Sequence, residues 1–249
     1  MGNSENIKLA VIFGGAGFIG RHFTDYLLKS NVVDKIIAVD HKSNDLVNQL
    51  ERNYGNSYEF FEFDVRSQID FNYNPKDYNL EMVVNLAAVH REPGHELSEY
   101  YETNIKGASN VCDWADLHGC EKIIFTSSIA PYGPTEKPKT EFDLPTPSTP
   151  YGGSKLAAEK IHETWQAKDL NRRKLVIVRP GVVFGAGEGG NVSRLIKAVI
   201  HRYFFYMGNK QTRKAGTYVK ELCNAMWWVM ENSEAVSYTH LTLPTIYSV

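Results

Sequence analysis

The sequence predicts an α/β protein built on a doubly wound parallel sheet, and three observations predict it. Short apolar runs recur along most of the chain, segments with helical spacing separate them, and the first run stops at a cluster of glycines. Runs that stay apolar on both alternating faces fit strands covered by helices on either side of a sheet. Parallel neighbours need crossover connections, so strands alternating with helices imply a doubly wound order rather than hairpins.

Lys8–Phe13 (KLAVIF) is the first strand, and helical spacing follows from Phe18 to about Leu28. Lys35–Asp40 (KIIAVD) and Tyr58–Val65 (YEFFEFDV) repeat the strand pattern, as do Met82–Ala88 (MVVNLAA), Lys122–Ser128 (KIIFTSS) and Leu175–Val178 (LVIV). Long helical segments are expected at about Glu96–His118 and Tyr151–Ala167. Between them Pro131–Pro150 holds six of the ten prolines and reads as a surface loop leading into the next helix. Trp227-Trp228 lies in an apolar helical segment, as core or dimer surface. After Arg179 the alternation weakens, which predicts a smaller second region on the carboxyl edge of the sheet.

Composition narrows the function classes. The chain has 249 residues, 43% of them hydrophobic, and 27 basic against 29 acidic side chains for a net charge of −2. No global field is available to attract nucleic acid or an anionic membrane. Arg172-Arg173-Lys174 precedes a strand and reads as a solvated turn. The three cysteines, Cys112, Cys120 and Cys223, neither staple a domain of this size nor show zinc-ligand spacing. His90, Glu92, His95 and Glu96 lack metal-site spacing, so no metal is expected. With no apolar run of spanning length and no signal-like start, a cytoplasmic protein is expected.

Gly14-Gly15-Ala16-Gly17-Phe18-Ile19-Gly20 sits between the first strand and the first helix. Read as G-x-x-G-x-x-G, its glycines Gly14, Gly17 and Gly20 permit a tight turn, close approach of a pyrophosphate, and close packing of helix on strand. The helix start at Phe18 and Ile19 then offers N–H groups to phosphate. Asp40, at the end of the second strand, is placed to accept hydrogen bonds from the adenosine ribose, which favours NAD over NADP. Asp64-Val65, ending the third strand, is placed to meet the adenine. This is the pattern of a Rossmann-like sheet.

Tyr151-Gly-Gly-Ser-Lys155 has Y-x-x-x-K spacing at a helix start, which puts the ammonium and the phenol on one helix face. A cation beside a phenol favours the phenolate, the form that acts as a base. Ser127 and Ser128 close the fifth strand, at the sheet end where ligands bind.

Gly14–Gly20, Asp40, Asn85-Leu86-Ala87-Ala88, Thr126-Ser127-Ser128 with Tyr132-Gly133, Tyr151–Lys155 and Arg179-Pro180 occur in an order that resembles the extended short-chain dehydrogenase/reductase family. That family comprises NAD-dependent epimerases and dehydratases of nucleotide sugars. The resemblance implies Tyr151 as catalytic base, Lys155 as ligand of the nicotinamide ribose, and Ser128 as the hydroxyl partner. It places Leu86, Ala87, Ala88, Asn104 and Pro180 along the cofactor. Dehydratases carry an Asp-Glu pair where Ile129 and Ala130 stand here, which disfavours elimination.

Epimerisation through transient oxidation, at C4 of the sugar, is the reaction this implies. Ala87–Arg91, Gly185–Val192, Gly208-Asn209-Lys210 and Tyr218-Val219 are similar to a bacterial subgroup acting on undecaprenyl-diphosphate-linked N-acetylglucosamine in surface-polysaccharide synthesis. Val89 departs from that subgroup's acidic residue. His90, Ser128 and Asn191 are expected at the substrate, with Arg213 or Lys214 neutralising its diphosphate. A polyprenyl carrier would bring peripheral membrane contact, and the apolar face Leu156, Ala157, Ile161 and Trp165 allows a homodimer. Two alternatives stay open: a dehydrogenase or reductase of a sugar or steroid-like alcohol, and a truncated, inactive NAD-binding protein. The expected division is 1–180 as NAD-binding domain, 181–235 as a small, truncated substrate-binding region, and 236–249 as an aberrant, non-native tail.

Overall fold

Alternate residues of each strand sort into two apolar layers. In β1 (Ile7–Phe13), Leu9, Val11 and Phe13 join one core cluster while Ala10 and Ile12 join the other, all fully buried. Burial on both faces is what a continuous apolar run permits, at about 1.5–3 kcal/mol for each large aliphatic side chain. The computed structural model describes residues 7–71, 78–90, 94–135, 139–205, 215–233 and 239–242, with Asn191 and 239–242 described only as parts of their helix and strand.

The sheet continues through β2 (Lys35–Asp40), β3 (Tyr58–Glu62), β4 (Tyr78–Asn85), β5 (Lys122–Thr126) and β6 (Lys174–Arg179), all parallel in the order β3-β2-β1-β4-β5-β6. Two short strands, β7 (Val182–Phe184) and β8 (Gly216–Tyr218), pair in a separate parallel sheet. Thr239–Thr242 forms β9, a seventh parallel strand beside β6. It lies within the segment that the sequence sets apart from the rest.

The described residues form seven α-helices, and most of them pack on the sheet. Phe23 and Leu27 of α1 (Phe18–Lys29) and Val47 and Leu50 of α2 (Asp45–Tyr54) pack on one side. After α3 (Leu97–Tyr101) the chain passes through a π turn at Glu102–Lys106 into α4 (Gly107–Leu117). Val111 and Trp114 of α4 and Ala158 and Trp165 of α5 (Pro150–Ala167) fill the opposite layer. Trp165, expected on a dimer face, is 1% exposed in this core. Past α6 (Asn191–Ile200), Leu222 and Met226 of α7 (Val219–Asn232) return to the α1 side. Trp228 is 61% exposed while Trp227 packs partly on the core.

The structure shortens some expected elements. β3 stops at Glu62 because Asp64 and Ser67 close a turn, Ser67 N donating to Asp64 O at 3.0 Å. The expected helix over 96–118 is three segments. α2 was not expected, although Leu46, Val47, Leu50 and Tyr54 form a helical apolar stripe with Val47 and Leu50 buried; Asn44 starts it by accepting from Leu46 N and Val47 N.

Candidate active site

The carboxyl ends of β1 and β4 face the point where the connections reverse direction, the place where open α/β sheets bind ligands. Gly14 leaves β1 with φ of +78°, and a Cβ there would stand 2.6 Å from Ala87 N. A Cβ on Gly20 would lie 2.7 Å from the carbonyl oxygens of both Gly14 and Gly15, so α1 sits directly on the turn. Gly17 is the N-cap of α1 and supplies no side-chain cap, leaving the first-turn N–H groups and positive dipole end for an anion.

Asp40 meets this turn from β2. Its Oδ2 accepts from Ala16 N at 3.1 Å and its Oδ1 from His41 N at 2.8 Å. Oδ1 also meets His41 Nδ1 at 2.9 Å, so the carboxylate holds the glycine loop and keeps acceptor capacity for a ribose hydroxyl at Oδ2. Asn44 adds a second tie, Nδ2 donating to Ala16 O at 3.0 Å. Asp64 is engaged by Arg66 through its backbone N, Nε and Nη2, and these bonds hold the carboxyl below its ordinary range. Val65 is buried beneath Gly107, where a Cβ would come within 2.8 Å of its side chain.

A chain of short contacts joins the remaining expected residues. Leu86 N donates to Phe13 O at 2.8 Å, which sets Leu86, Ala87 and Ala88 beside the glycine turn. Asn104, in the π turn, accepts from Val89 N at 2.8 Å and donates to Val89 O and to Ser154 Oγ. Ser154 Oγ donates in turn to Tyr151 O at 2.9 Å. Ser128 Oγ accepts from Ala130 N, and a Cβ on Gly152 would lie 2.7 Å from Ala130 O, so α5 begins against the Ser128 loop. Ile129 N donates to Pro180 O at 3.1 Å, which closes the circuit at β6.

Local sequence sets this start of α5. Thr149 caps it, Oγ1 accepting from Gly152 N, and Pro150 takes the first helical position, where no N–H is needed. Tyr151 thus stands in the first turn, its ring 6.5 Å from that of Tyr100. Lys155, one turn on, is 1% exposed with Nζ 4.3 Å from the Phe125 ring centre. Burial draws its ammonium down to about 7, with Glu159 pulling the other way. Tyr151 and Lys155, four apart, share one helix face at a helix start packed on the loop that carries Ser128.

Two buried groups that the sequence reading missed support the site. Glu159, fully buried, accepts from Arg179 Nε at 2.9 Å, Arg179 Nη2 at 2.6 Å and Ser127 Oγ. Arg179 Nη1 also donates to Tyr132 Oη at 2.7 Å. His162, fully buried, meets Asn85 Nδ2 at 3.2 Å and stacks on Phe125. Both lie on the inward face of α5 set by the spacing from Lys155, which is the signal that could have found them.

His90 is exposed just past Val89, and Asn191 begins α6 with its side chain outside the description. Arg213 and Lys214 lie outside the described residues. The loop before α6 folds back on α1, with Ala186 O accepting from Arg21 and lying 3.0 Å from His22 Nε2. Among the described residues no group of three or more His, Cys, Asp or Glu is placed to hold a metal, and no helix is long and apolar enough to cross a membrane.

The family model of the NAD dependent epimerase/dehydratase family matches residues 10–243. The chain belongs to that family. It is 35% identical over 155 residues to an N-acetyl-alpha-D-glucosaminyl-diphospho-ditrans,octacis-undecaprenol 4-epimerase of Escherichia coli O157:H7, covering 62% of this chain and 47% of that one. It is 31% identical over 192 residues to the UDP-glucose 4-epimerase of Bacillus subtilis (strain 168), covering 73% and 55%. This family member thus spans about half the length of these curated relatives. Among solved structures it superposes on MoeE5 in complex with UDP-glucose and NAD with a TM-score of 0.74 and 25% identity, covering 94% of this chain and 74% of that one. A UDP-glucuronic acid 4-epimerase from Bacillus cereus, at 22% identity and a TM-score of 0.76 over 94% and 76% of the two chains, shares the fold. The glycine cradle, the uncapped α1 and Asp40 fit NAD, the cofactor of the family.

Proposed function

We propose that this protein is an NAD-dependent epimerase of a diphosphate-linked sugar, inverting C4 through a transient 4-keto intermediate in surface-polysaccharide synthesis. The observation that carries the reading is Tyr151 standing one turn before buried Lys155, at a helix start that abuts the Ser128 loop and, through Ser154, the turn that holds Asn104. Bound NAD supplies the hydride acceptor and donor. Tyr151 removes the proton of the sugar hydroxyl and returns it, Lys155 favours its phenolate, and Ser128 steadies the reacting oxygen by a hydrogen bond. Gly14, Gly17 and the α1 amides hold the pyrophosphate, Asp40 the adenosine ribose, Asp64 and Val65 the adenine side, and Lys155 with Asn104 and Pro180 the nicotinamide half. His90, Asn191 and Arg213 are assigned to the substrate.

Relatives that act on both UDP-linked and polyprenyl-linked sugars leave the carrier to experiment. A polyprenyl carrier brings the protein to a membrane surface from the cytoplasm, and the half-buried Leu156, Ala157 and Ile161 of α5 support a homodimer. Protein purified with its NAD is expected to interconvert gluco and galacto epimers of one sugar without added cofactor. Net NADH release on adding the same substrate would instead mark a dehydrogenase. Running the assay on both carriers identifies the substrate.

A further inference from the structure

Asn85, at the end of β4, and His162, on α5, form a buried polar pair that lies outside the reacting groups. His162 has no exposed surface and Asn85 is 2% exposed. Their hydrogen-bond directions are fixed by their surroundings. Ala87 N–H can only donate, and it meets Asn85 Oδ1 at 3.2 Å. The amide nitrogen of Asn85 therefore faces His162 Nε2, at 3.2 Å, and Nε2 must be the acceptor. Nδ1 then carries the proton and donates it to Ala158 O at 2.8 Å. One neutral tautomer satisfies every member, and the opposite tautomer or the cation would set donor against donor.

We propose that His162 is a positioning residue of the cofactor site: through Asn85 it seats the Leu86–Ala88 loop against the glycine turn. The inference rests on the NAD-binding reading and goes beyond it. Ala87 N is the atom that a Cβ on Gly14 would strike, so the loop held by Asn85 forms the wall of the cradle. The His162 ring also stacks on Phe125 with centroids 4.1 Å apart and planes at 14°, and Lys155 Nζ lies over the same Phe125 ring. An aliphatic or aromatic residue would fill this space without burying a polar ring. What histidine adds is an acceptor for Asn85, without which a buried amide N–H goes unpaired. Burial holds the imidazole neutral, as the pair requires.

The test reads cofactor affinity and tautomer, not turnover. In the full chain, 15N spectra at pH 7 are expected to show His162 Nε2 unprotonated and Nδ1 protonated. His162→Phe, which keeps a ring against Phe125, is expected to weaken NAD binding about tenfold, while His162→Gln, which keeps an acceptor, stays within about threefold of the original. A protonated Nε2 overturns the proposal. So does a His162→Phe protein that binds NAD as tightly as the original, or a His162→Gln protein as weak as His162→Phe. If His162→Phe fails to fold, the tautomer of the unaltered protein and the Gln variant still decide. An unaltered protein that binds no NAD would instead remove the cofactor reading itself.

Discussion

At the scale of single residues, the site is built from polar groups placed where an apolar side chain would be more stable. Lys155 ordinarily titrates near 10.5 and is drawn to about 7 by burial. Between those values the unfolded chain holds a proton that the folded chain does not, so stability rises with pH through that window. Lys155→Met is expected to flatten this dependence and to stabilise the fold by about 1–4 kcal/mol at pH 7, while abolishing turnover. Urea unfolding and an epimerase assay check the two halves. His162 is lowered to about 4, by burial first and the Lys155 charge second, from an ordinary 6.5. Its sign is the same: stability is lost as pH falls from about 6.5 towards 4, by roughly 3 kcal/mol in all. Unfolding curves at pH 7 and pH 5 should diverge in the original protein and converge in His162→Phe. Tyr151→Phe removes the acid–base group alone, so kcat should fall about 10²–10⁴-fold with NAD affinity unchanged. An unchanged kcat would remove Tyr151 from the chemistry.

At the scale of elements, α5 is the piece on which the site depends. It presents Tyr151 and Lys155 at its start, Glu159 to Arg179 of β6, and His162 to Asn85 of β4. The Glu159–Arg179 pair is 0% and 3% exposed at its side chains, so removing one member strands the other charge. Glu159→Gln is expected to cost about 3–5 kcal/mol, measured by urea unfolding, and a loss below about 1 kcal/mol would contradict the network. The strands were legible because residues buried on both faces must all be apolar, and the glycine turn because its backbone admits no side chain. The π turn at Glu102–Lys106 was not, since its residues differ from α-helical ones only in the bonds they make. α2 escaped because its apolar stripe, Leu46, Val47, Leu50 and Tyr54, is short and set among polar residues. Glu159 and His162 escaped because a charged or polar residue mid-helix reads as solvated until its tertiary partners are known.

At the scale of the whole molecule, the sheet up to Arg179 was legible and the chain beyond it was not. Alternation and crossover connections imply a doubly wound parallel sheet, and the structure gives its order as β3-β2-β1-β4-β5-β6. Beyond Arg179 the strand–helix alternation weakens. There α6 leaves Ile196, Val199 and Ile200 about half exposed or more, and α7 returns to the α1 layer. Arg21 and His22 of α1 tie the loop at Ala186 to the main sheet's helical layer. In the proposed reaction hydrogen leaves C4 of the sugar and returns to it. The most direct test is a sugar substrate labelled with deuterium at C4, incubated in ordinary water with the NAD-loaded protein and no added cofactor. Both epimers are expected to keep the label at C4 throughout the approach to equilibrium; loss of the label to water or to released NADH would rule out the proposed reaction.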